Sequence, residues 1–300
     1  MRFVSLTSNK GGVGKTTAAI NMVAAAALLT DKKVMLVEAD PGARTISLLM
    51  RGYFRPEKGW IDYLKGEAVL EEVLVRSEVL DNLYMIFSSS TIAFKEVGDK
   101  EIVAEQVDLF KELIKSSGEY ALVVVDCPGK PSIDDLIYGT LTDLYLVTGP
   151  NISEVKATAE FRRVLNRKYY EIFRREVEVA KGVIVNFLTP SRSREDAEAI
   201  AAEVGLPVFA AIPASPKVSI SEEKGKPLVL LDQRDPASRA FFSLALRVLS
   251  ESDISHAKRL ELERKIRGAS PFGFGALRRI GRIGRGIVGK ILRRFGSEWR

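Results

Sequence analysis

Seven short runs of nearly unbroken apolar residues punctuate the chain, at 2–6, 33–38, 82–87, 120–126, 144–148, 182–186 and 207–213. Runs of this length, ending in a turn or an acid, predict strands buried on both faces of a parallel sheet. Between them the periodicity turns helical. An alanine-rich stretch covers 18–29 and an amphipathic one 99–117. A long helix opens at Asn151-Ile152-Ser153 and runs to about 176, and another runs from about 236 to 250, or to 267 at its longest. Residues 59–87 carry short helix signals before their strand, and 88–91 form a loop. The alternation predicts an α/β domain over 1–267: a doubly wound, mainly parallel seven-stranded sheet flanked by helices. After Gly268-Ala269-Ser270-Pro271 the pattern changes in kind, and 268–300 is set apart as an amphipathic tail.

The first strand leads into Thr7-Ser8-Asn9-Lys10-Gly11-Gly12-Val13-Gly14-Lys15-Thr16-Thr17, and the alanine-rich helix follows. Strand, glycine loop and helix together are the setting that a phosphate-binding loop requires. Gly11, Gly12 and Gly14, with Val13 between them, let backbone N–H groups turn inward around an anion. The helix points its positive end at the same place. Lys15 then reaches the β/γ-phosphates, and the Thr16 hydroxyl ligates Mg²⁺. Asn9 stands where such loops usually begin with glycine, and asparagine tolerates the same left-handed backbone.

The second lysine narrows the class. Lys10-Gly11-Gly12-Val13-Gly14-Lys15-Thr16-Thr17 resembles the deviant phosphate loop of the ParA/MinD family of ATPases. The closing segment, with Glu223-Lys224-Gly225-Lys226-Pro227 and Asp235-Pro236-Ala237, is similar to that of archaeal MinD-like members, so the resemblance covers about residues 1–250. It implies ATP and Mg²⁺ as ligands and a homodimer formed on ATP binding, with Lys10 reaching across to the partner's nucleotide.

Two acids follow strands. Asp40, in Ala39-Asp40-Pro41-Gly42, lies where open parallel sheets place their ligands. Taken alone it is either a Mg²⁺ or water-positioning carboxylate or an Asp-Pro turn capping the next helix. The resemblance assigns it the hydrolytic water and places Glu38 where the family has aspartate, with Glu38's role left open. Asp126 ends the strongest strand and precedes Cys127-Pro128-Gly129, the form of a Walker B/switch II element. Asp126 would hold the Mg²⁺ shell, and Gly129 would let the loop move. Lys130 stands where a small residue is expected. Asn186 resembles the family's adenine-contacting asparagine, with Phe187 where an arginine often follows, and Pro213 is expected to line the adenine site. Along the helix from 152, Arg162, Arg163, Arg167, Lys168, Arg174 and Arg175 are interleaved with Glu160, Glu171, Glu176 and Glu178, as on a solvated face or on a partner or DNA surface.

Composition removes other classes. The single cysteine, Cys127, and single histidine, His256, exclude a disulfide framework, paired-cysteine metal or iron–sulfur sites and histidine clusters. Reduced cysteine and the lack of a signal peptide or spanning segment point to the cytoplasm. The net charge of +6 divides unevenly: 258–300 holds 13 Lys/Arg and 3 Asp/Glu, and the rest holds 32 basic and 36 acidic residues.

That basic tail is also amphipathic. At about 100° per residue, one half-circle takes Leu277, Ile280, Ile283, Ile287, Val288, Ile291, Leu292 and Phe295. The other takes Arg278, Arg279, Arg282, Arg285, Lys290, Arg293 and Arg294. This is the form of an in-plane interfacial helix on an anionic membrane. Each cation adds about 1 kcal/mol near an anionic leaflet, whereas each glycine at 281, 284, 286 and 289 costs about 1 kcal/mol in the helix. One tail therefore binds marginally, and two held in a dimer bind far better. DNA is a second ligand for these cations, and docking on the protein itself or on a partner is a third reading.

The combined expectation is an ATP-dependent, dimerising switch ATPase, peripherally associated with the inner face of the cell membrane. It would position a cellular structure with a protein activator or cargo adaptor. The alternatives are a ParA-like DNA partition ATPase and a metabolic ATP-dependent enzyme of the same superfamily.

Overall fold

Alternation along each strand decides which helix layer its side chains meet, and the computed structural model shows two such layers around one sheet. It describes residues 1–40, 46, 57–88, 100–129, 133–189 and 194–266. The first half comprises β1 (Arg2–Thr7), α1 (Lys15–Ala27), β2 (Lys33–Glu38), α2 (Trp60–Leu64), α3 (Leu70–Val73), β3 (Leu74–Arg76), β4 (Leu83–Ile86), α4 (Lys100–Ser117) and β5 (Tyr120–Asp126). The second comprises α5 (Ile133–Leu141), β6 (Asp143–Thr148), α6 (Ile152–Phe173), β7 (Ala180–Leu188), α7 (Arg194–Val204), β8 (Val208–Pro213), α8 (Lys217–Glu223), α9 (Leu228–Leu231), α10 (Pro236–Val248) and α11 (His256–Ile266).

The sheet order is β3-β4-β2-β5-β1-β6-β7-β8. Every pairing is parallel except β3 with β4. Val4, Leu6, Leu36, Leu122, Val124, Val147 and Ile184 turn to one face and meet α1 and α10. Phe3, Met35, Val37, Val123 and Val125 turn to the other and meet Trp60 of α2 and Phe110 of α4. Farther along that second face, Leu144, Leu146, Val183 and Val185 meet α6 and α7. α1 is enclosed on nearly all sides: Ala18, Ala19, Ala24, Ala25 and Ala26 have no exposed surface. Alanine brings this helix close to both the sheet and α10 with little side-chain entropy lost. The sheet thus holds the loop between β1 and α1 at its centre.

Four expectations change. The sheet has eight strands, not seven, because Leu74–Arg76 adds an antiparallel edge that pairs Leu74 with Ile86 and Arg76 with Tyr84. Three residues that follow directly on a helix carry no periodicity of their own. The helix opened at 152 stops at Phe173, where Arg174 takes a left-handed conformation (φ 53°). α10 stops at Val248, and a 3₁₀ turn at Glu251–Asp253 separates it from α11, so the helix that begins at 236 does not run on through 250–266 as one piece. Asn9 is not left-handed. Its side-chain amide instead donates to the Ala157 carbonyl of α6 at 2.9 Å, which holds the loop from outside. No helix among the described residues is long and apolar enough to cross a membrane. The tail residues Leu277 to Phe295 and Lys130 lie outside the described residues.

Candidate functional site

The loop at 8–14 leaves β1 at its carboxyl end and returns as α1, with Gly14 as N-cap in the left-handed region (φ 78°). No side chain caps α1 and its first turn holds no acid, so its first amides keep their donors and their positive field. Gly12 is also left-handed (φ 82°). Gly14 is required twice over, because a Cβ there would collide with the Asn186 side chain and lie 2.7 Å from the Phe187 ring. Gly11 differs. Its φ is ordinary and a Cβ would meet nothing within 4 Å. Neither backbone nor packing calls for glycine at 11, whereas close approach of a ligand to the main chain does.

Beneath the loop, Lys15 Nζ lies 2.6 Å from Asp126 Oδ1, and the Thr16 hydroxyl donates to Asp126 Oδ2 at 2.7 Å. Both charged groups are buried, at 7% and 2% exposure. Burial by itself pulls the Lys15 ammonium down, but the adjacent Asp126 carboxylate, helped by Asp40, holds it above the ordinary lysine value. A carboxylate and a hydroxyl that converge are hard oxygen donors of the kind Mg²⁺ takes, and the Lys15 charge shows that this carboxylate is built to face a cation. The residues present fit Mg²⁺.

Asp40 follows β2, and its Oδ2 accepts from the Gly129 N–H at 3.2 Å, joining the loops after β2 and β5. Glu38, two residues earlier, is 1% exposed. One of its oxygens accepts from the Ile46 N–H at 2.9 Å, and the other from the Ser88 N–H at 3.2 Å and hydroxyl at 3.1 Å. Burial pushes its carboxyl up, and these bonds offset the rise only in part. Glu38 therefore clamps three chain segments. Burial also pushes the Cys127 thiol well up, which leaves an inert small hydrophobe.

On the other side of β1, the Asn186 amide donates to the Val13 carbonyl at 3.0 Å and the Gly14 carbonyl at 3.4 Å, and its oxygen accepts from the Phe187 N–H at 2.9 Å. Phe187 is left-handed (φ 58°), which costs a residue with a Cβ about 1–2 kcal/mol. Pro213 ends β8 in register with Leu188, beside this pair. The Thr17 hydroxyl donates to Glu222 of α8 at 2.9 Å, and the Thr7 hydroxyl to the buried Asp135 of α5 at 2.5 Å. Lys10 is on the rim, with Nζ 3.2 Å from the Ser153 hydroxyl in the first turn of α6.

The structure thus brings Gly11, Gly12, Val13, Gly14, Lys15, Thr16, Thr17, Asp40, Asp126, Asn186 and Pro213 to one end of the sheet, with Lys10 at its margin. Sequence reasoning missed Glu222, Asp135 and the Phe187 ring. Glu222 and Asp135 meet partners 205 and 128 residues away, so no local signal marks them. The signal for Phe187 is its departure from the arginine the family often has. A separate cavity of about 610 Å³, among Arg2, Lys32, Tyr120, Asp143 and Lys181, opens at the opposite end of the sheet and shares no residue with the loop.

Residues 4–228 match the family described as the CobQ/CobB/MinD/ParA nucleotide binding domain. The chain is 31% identical over 253 residues to the septum site-determining protein MinD of Synechocystis sp., which covers 82% of this chain and 89% of that one. It is 29% identical over 266 residues to the chromosome partitioning protein ParA of Caulobacter vibrioides, covering 86% and 97%. Among solved structures, MinD of Pyrococcus horikoshii OT3 complexed with Mg-ADP has a TM-score of 0.62 at 27% identity, covering 82% of this chain and 95% of that one. A chain of the MinC:MinD cell division protein complex of Aquifex aeolicus has a TM-score of 0.65 at 27% identity, with coverage of 82% and 95%. With a family match over most of its length and the family's loop at the centre of its sheet, the chain belongs to the CobQ/CobB/MinD/ParA nucleotide-binding family, among the MinD and ParA ATPases.

Proposed function

We propose that the chain is an ATP-dependent switch of the MinD kind, which pairs with a second copy on ATP and holds an anionic membrane through its tail until hydrolysis releases it. The observation that carries this reading is the buried Lys15–Asp126–Thr16 cluster under the loop, coupled through Gly129 to Asp40. The loop amides and Lys15 bind the phosphates, Lys15 leaving Asp126 as it does so. Asp126 and Thr16 would hold Mg²⁺, which when bound would supply charge neutralisation on the phosphate oxygens. Asp40 orients the attacking water. Because it also accepts from Gly129, loss of the γ-phosphate at one loop loosens the other. Lys10 lies on the rim, where exchange of Ser153 for a second copy's nucleotide would stabilise charge on the transferring phosphoryl group. Asn186 and Pro213 frame the base.

The Pyrococcus relative, solved with Mg-ADP, supports the nucleotide and the metal, and the Aquifex complex supports a protein partner. The basic amphipathic tail supports the membrane half of the proposal, in which the protein associates peripherally with the inner face of the cell membrane. Co-sedimentation with anionic liposomes under ATP, ADP and no nucleotide tests it, using the full chain and a truncation after Ser270. The expected result is ATP-dependent pelleting of the full chain alone. If neither pellets in any state, the membrane reading fails. Salt-sensitive retention of duplex DNA by the full chain would then favour a ParA-like role, as the relative from Caulobacter suggests.

A further inference from the structure

We propose that the cavity at the amino end of the sheet, together with the exposed end of α6, is a docking site for an acidic segment of a partner protein. The site goes beyond the nucleotide reading and stands without it. β5, β1, β6 and β7 are neighbours that all begin here, while α4, α5 and α6 end here. The cavity of about 610 Å³ among them has five Lys/Arg side chains and two acids in its lining. That balance runs against the body, which has 36 acidic and 32 basic residues before 258. Both lining acids are already engaged. Asp143 lies 3.6 Å from Arg2, and Glu178 accepts from Arg162 at 2.9 Å and from Asn166 at 3.0 Å. Lys111 and Lys115 pair with exposed acids on their own helix, contacts worth little in water. Lys115 also lies in the last turn of α4, where a cation answers the helix dipole. Lys181, on β7, has neither a helix end nor, among the described residues, an ion pair to explain it.

The apolar half of the site comes from α6 and the chain that leaves it. Tyr169 and Val177 line the cavity, and the Tyr169 and Phe173 rings pack 4.6 Å apart. Tyr170, Ile172, Phe173 and Val177 are each about half-exposed. Arg174 ends the helix in a left-handed conformation that a side chain disfavours. The bonds from Arg162 and Asn166 to Glu178 then tie the chain back to α6. Apolar side chains held in water at such a turn, beside a basic cavity, mark a contact surface. Charge decides what covers it. A second copy would set these cations against themselves. The chain's own end would be repelled, since 258–300 holds 13 Lys/Arg against 3 Asp/Glu. Nucleic acid would leave Ile172 and Phe173 without a partner. A segment carrying carboxylates and an aromatic or branched apolar side chain answers both halves, with its acids toward Lys111, Lys115 and Lys181. β1, six residues or roughly 20 Å long, separates this end from the phosphate loop, so partner and nucleotide do not compete.

The probe is a phage-displayed library of random dodecapeptides, selected on the full chain with Mg·ADP present to keep acidic peptides from the phosphate loop. Enriched peptides should combine Asp or Glu with an aromatic or branched apolar residue. Their binding, followed by fluorescence polarisation, should weaken about tenfold in Lys181→Glu and in Phe173→Ala. Both side chains are exposed, so the fold should tolerate either change. Lys156→Glu makes the same charge change on α6, roughly 25 Å from Phe173 along the helix, and should leave binding within about twofold. Enriched peptides without acids, or binding unchanged in Lys181→Glu and Phe173→Ala, would overturn the proposal. An equal loss in Lys156→Glu would reduce the contact to general charge attraction and overturn it too. If no peptide is enriched, the proposal falls. Loss of anionic vesicle binding by the full chain in Phe173→Ala would then make this face a membrane contact instead.

Discussion

Lys15 and Asp126 are 111 residues apart in sequence and 2.6 Å apart in space, in a place that excludes water. Each is tolerated there because the other is present. Lys15→Ala should abolish nucleotide binding and also lower unfolding stability by about 3 kcal/mol, since a buried carboxylate then keeps only Thr16. Adding Asp126→Asn to that variant should return part of the stability and none of the binding. Urea unfolding and calorimetry on the two variants check both halves. The glycines separate on the same logic. Gly14→Ala should destabilise by about 2 kcal/mol or more, because it combines a left-handed backbone with a collision. Gly11→Ala should leave stability within about 0.5 kcal/mol while weakening nucleotide binding, since nothing within 4 Å but a ligand would meet the new methyl.

At the scale of elements, the loops after β2 and β5 are joined, among the described residues, by a bond from the Gly129 N–H to Asp40. Asp40→Asn keeps an acceptor for that N–H but loses the charge that orients water, and Asp40→Ala loses both. Hydrolysis should fall about 100-fold or more in each, with ATP affinity little changed. Hydrogen exchange at Gly129 should quicken only in Asp40→Ala. Equal exchange in the two variants would show that the loops are not coupled through this bond. Glu38 gives the same region its floor, and it shows how far sequence reaches. That an acid sits at the end of β2 is plain from the strand pattern. That it binds Ile46 and Ser88 depends on chain segments that come together only when β4 pairs with β2. The β3 edge was hidden for the same reason, because three residues have too little pattern to announce a strand.

Across the whole molecule, the C-terminal part of the described chain is tied back to the start through Asp253. Its carboxylate lies 2.8 Å from Lys32 Nζ and 3.5 Å from the Met1 amine. Burial by itself would raise this carboxyl, but those cations hold it below the ordinary value of 3.8. A depressed acid contributes stability that is present above 3.8 and is lost as pH falls through the lower folded value. Asp253→Asn should therefore cost about 1 kcal/mol at neutral pH, discounted for the half-exposed Lys32, and the difference should close as pH falls below the lowered folded value. Thermal unfolding of both chains across that range measures it. A gap that persists at low pH would mean that packing, and not charge, holds the turn at Glu251–Asp253.

The sequence by itself determined what short-range pattern can carry. It set the alternation of buried strands with helices, the glycine loop between β1 and α1, the acids at the ends of β2 and β5, and a basic amphipathic tail of different character from the body. Each of these is written in neighbouring residues, where period, turn chemistry and charge act over a few positions. Only the tertiary structure decided which of those residues meet. The order of the strands put Asp40 and Asp126 on one side of the loop and Asn186, Phe187 and Pro213 on the other. Burial then left the Lys15 ammonium with Asp126 as its counter-charge, and α6 and α8 brought Ser153 and Glu222 to the margins of the loop. Such contacts arise from closing loops of a hundred residues or more, and the free energy that selects them is buried area and charge pairing that no local stretch contains.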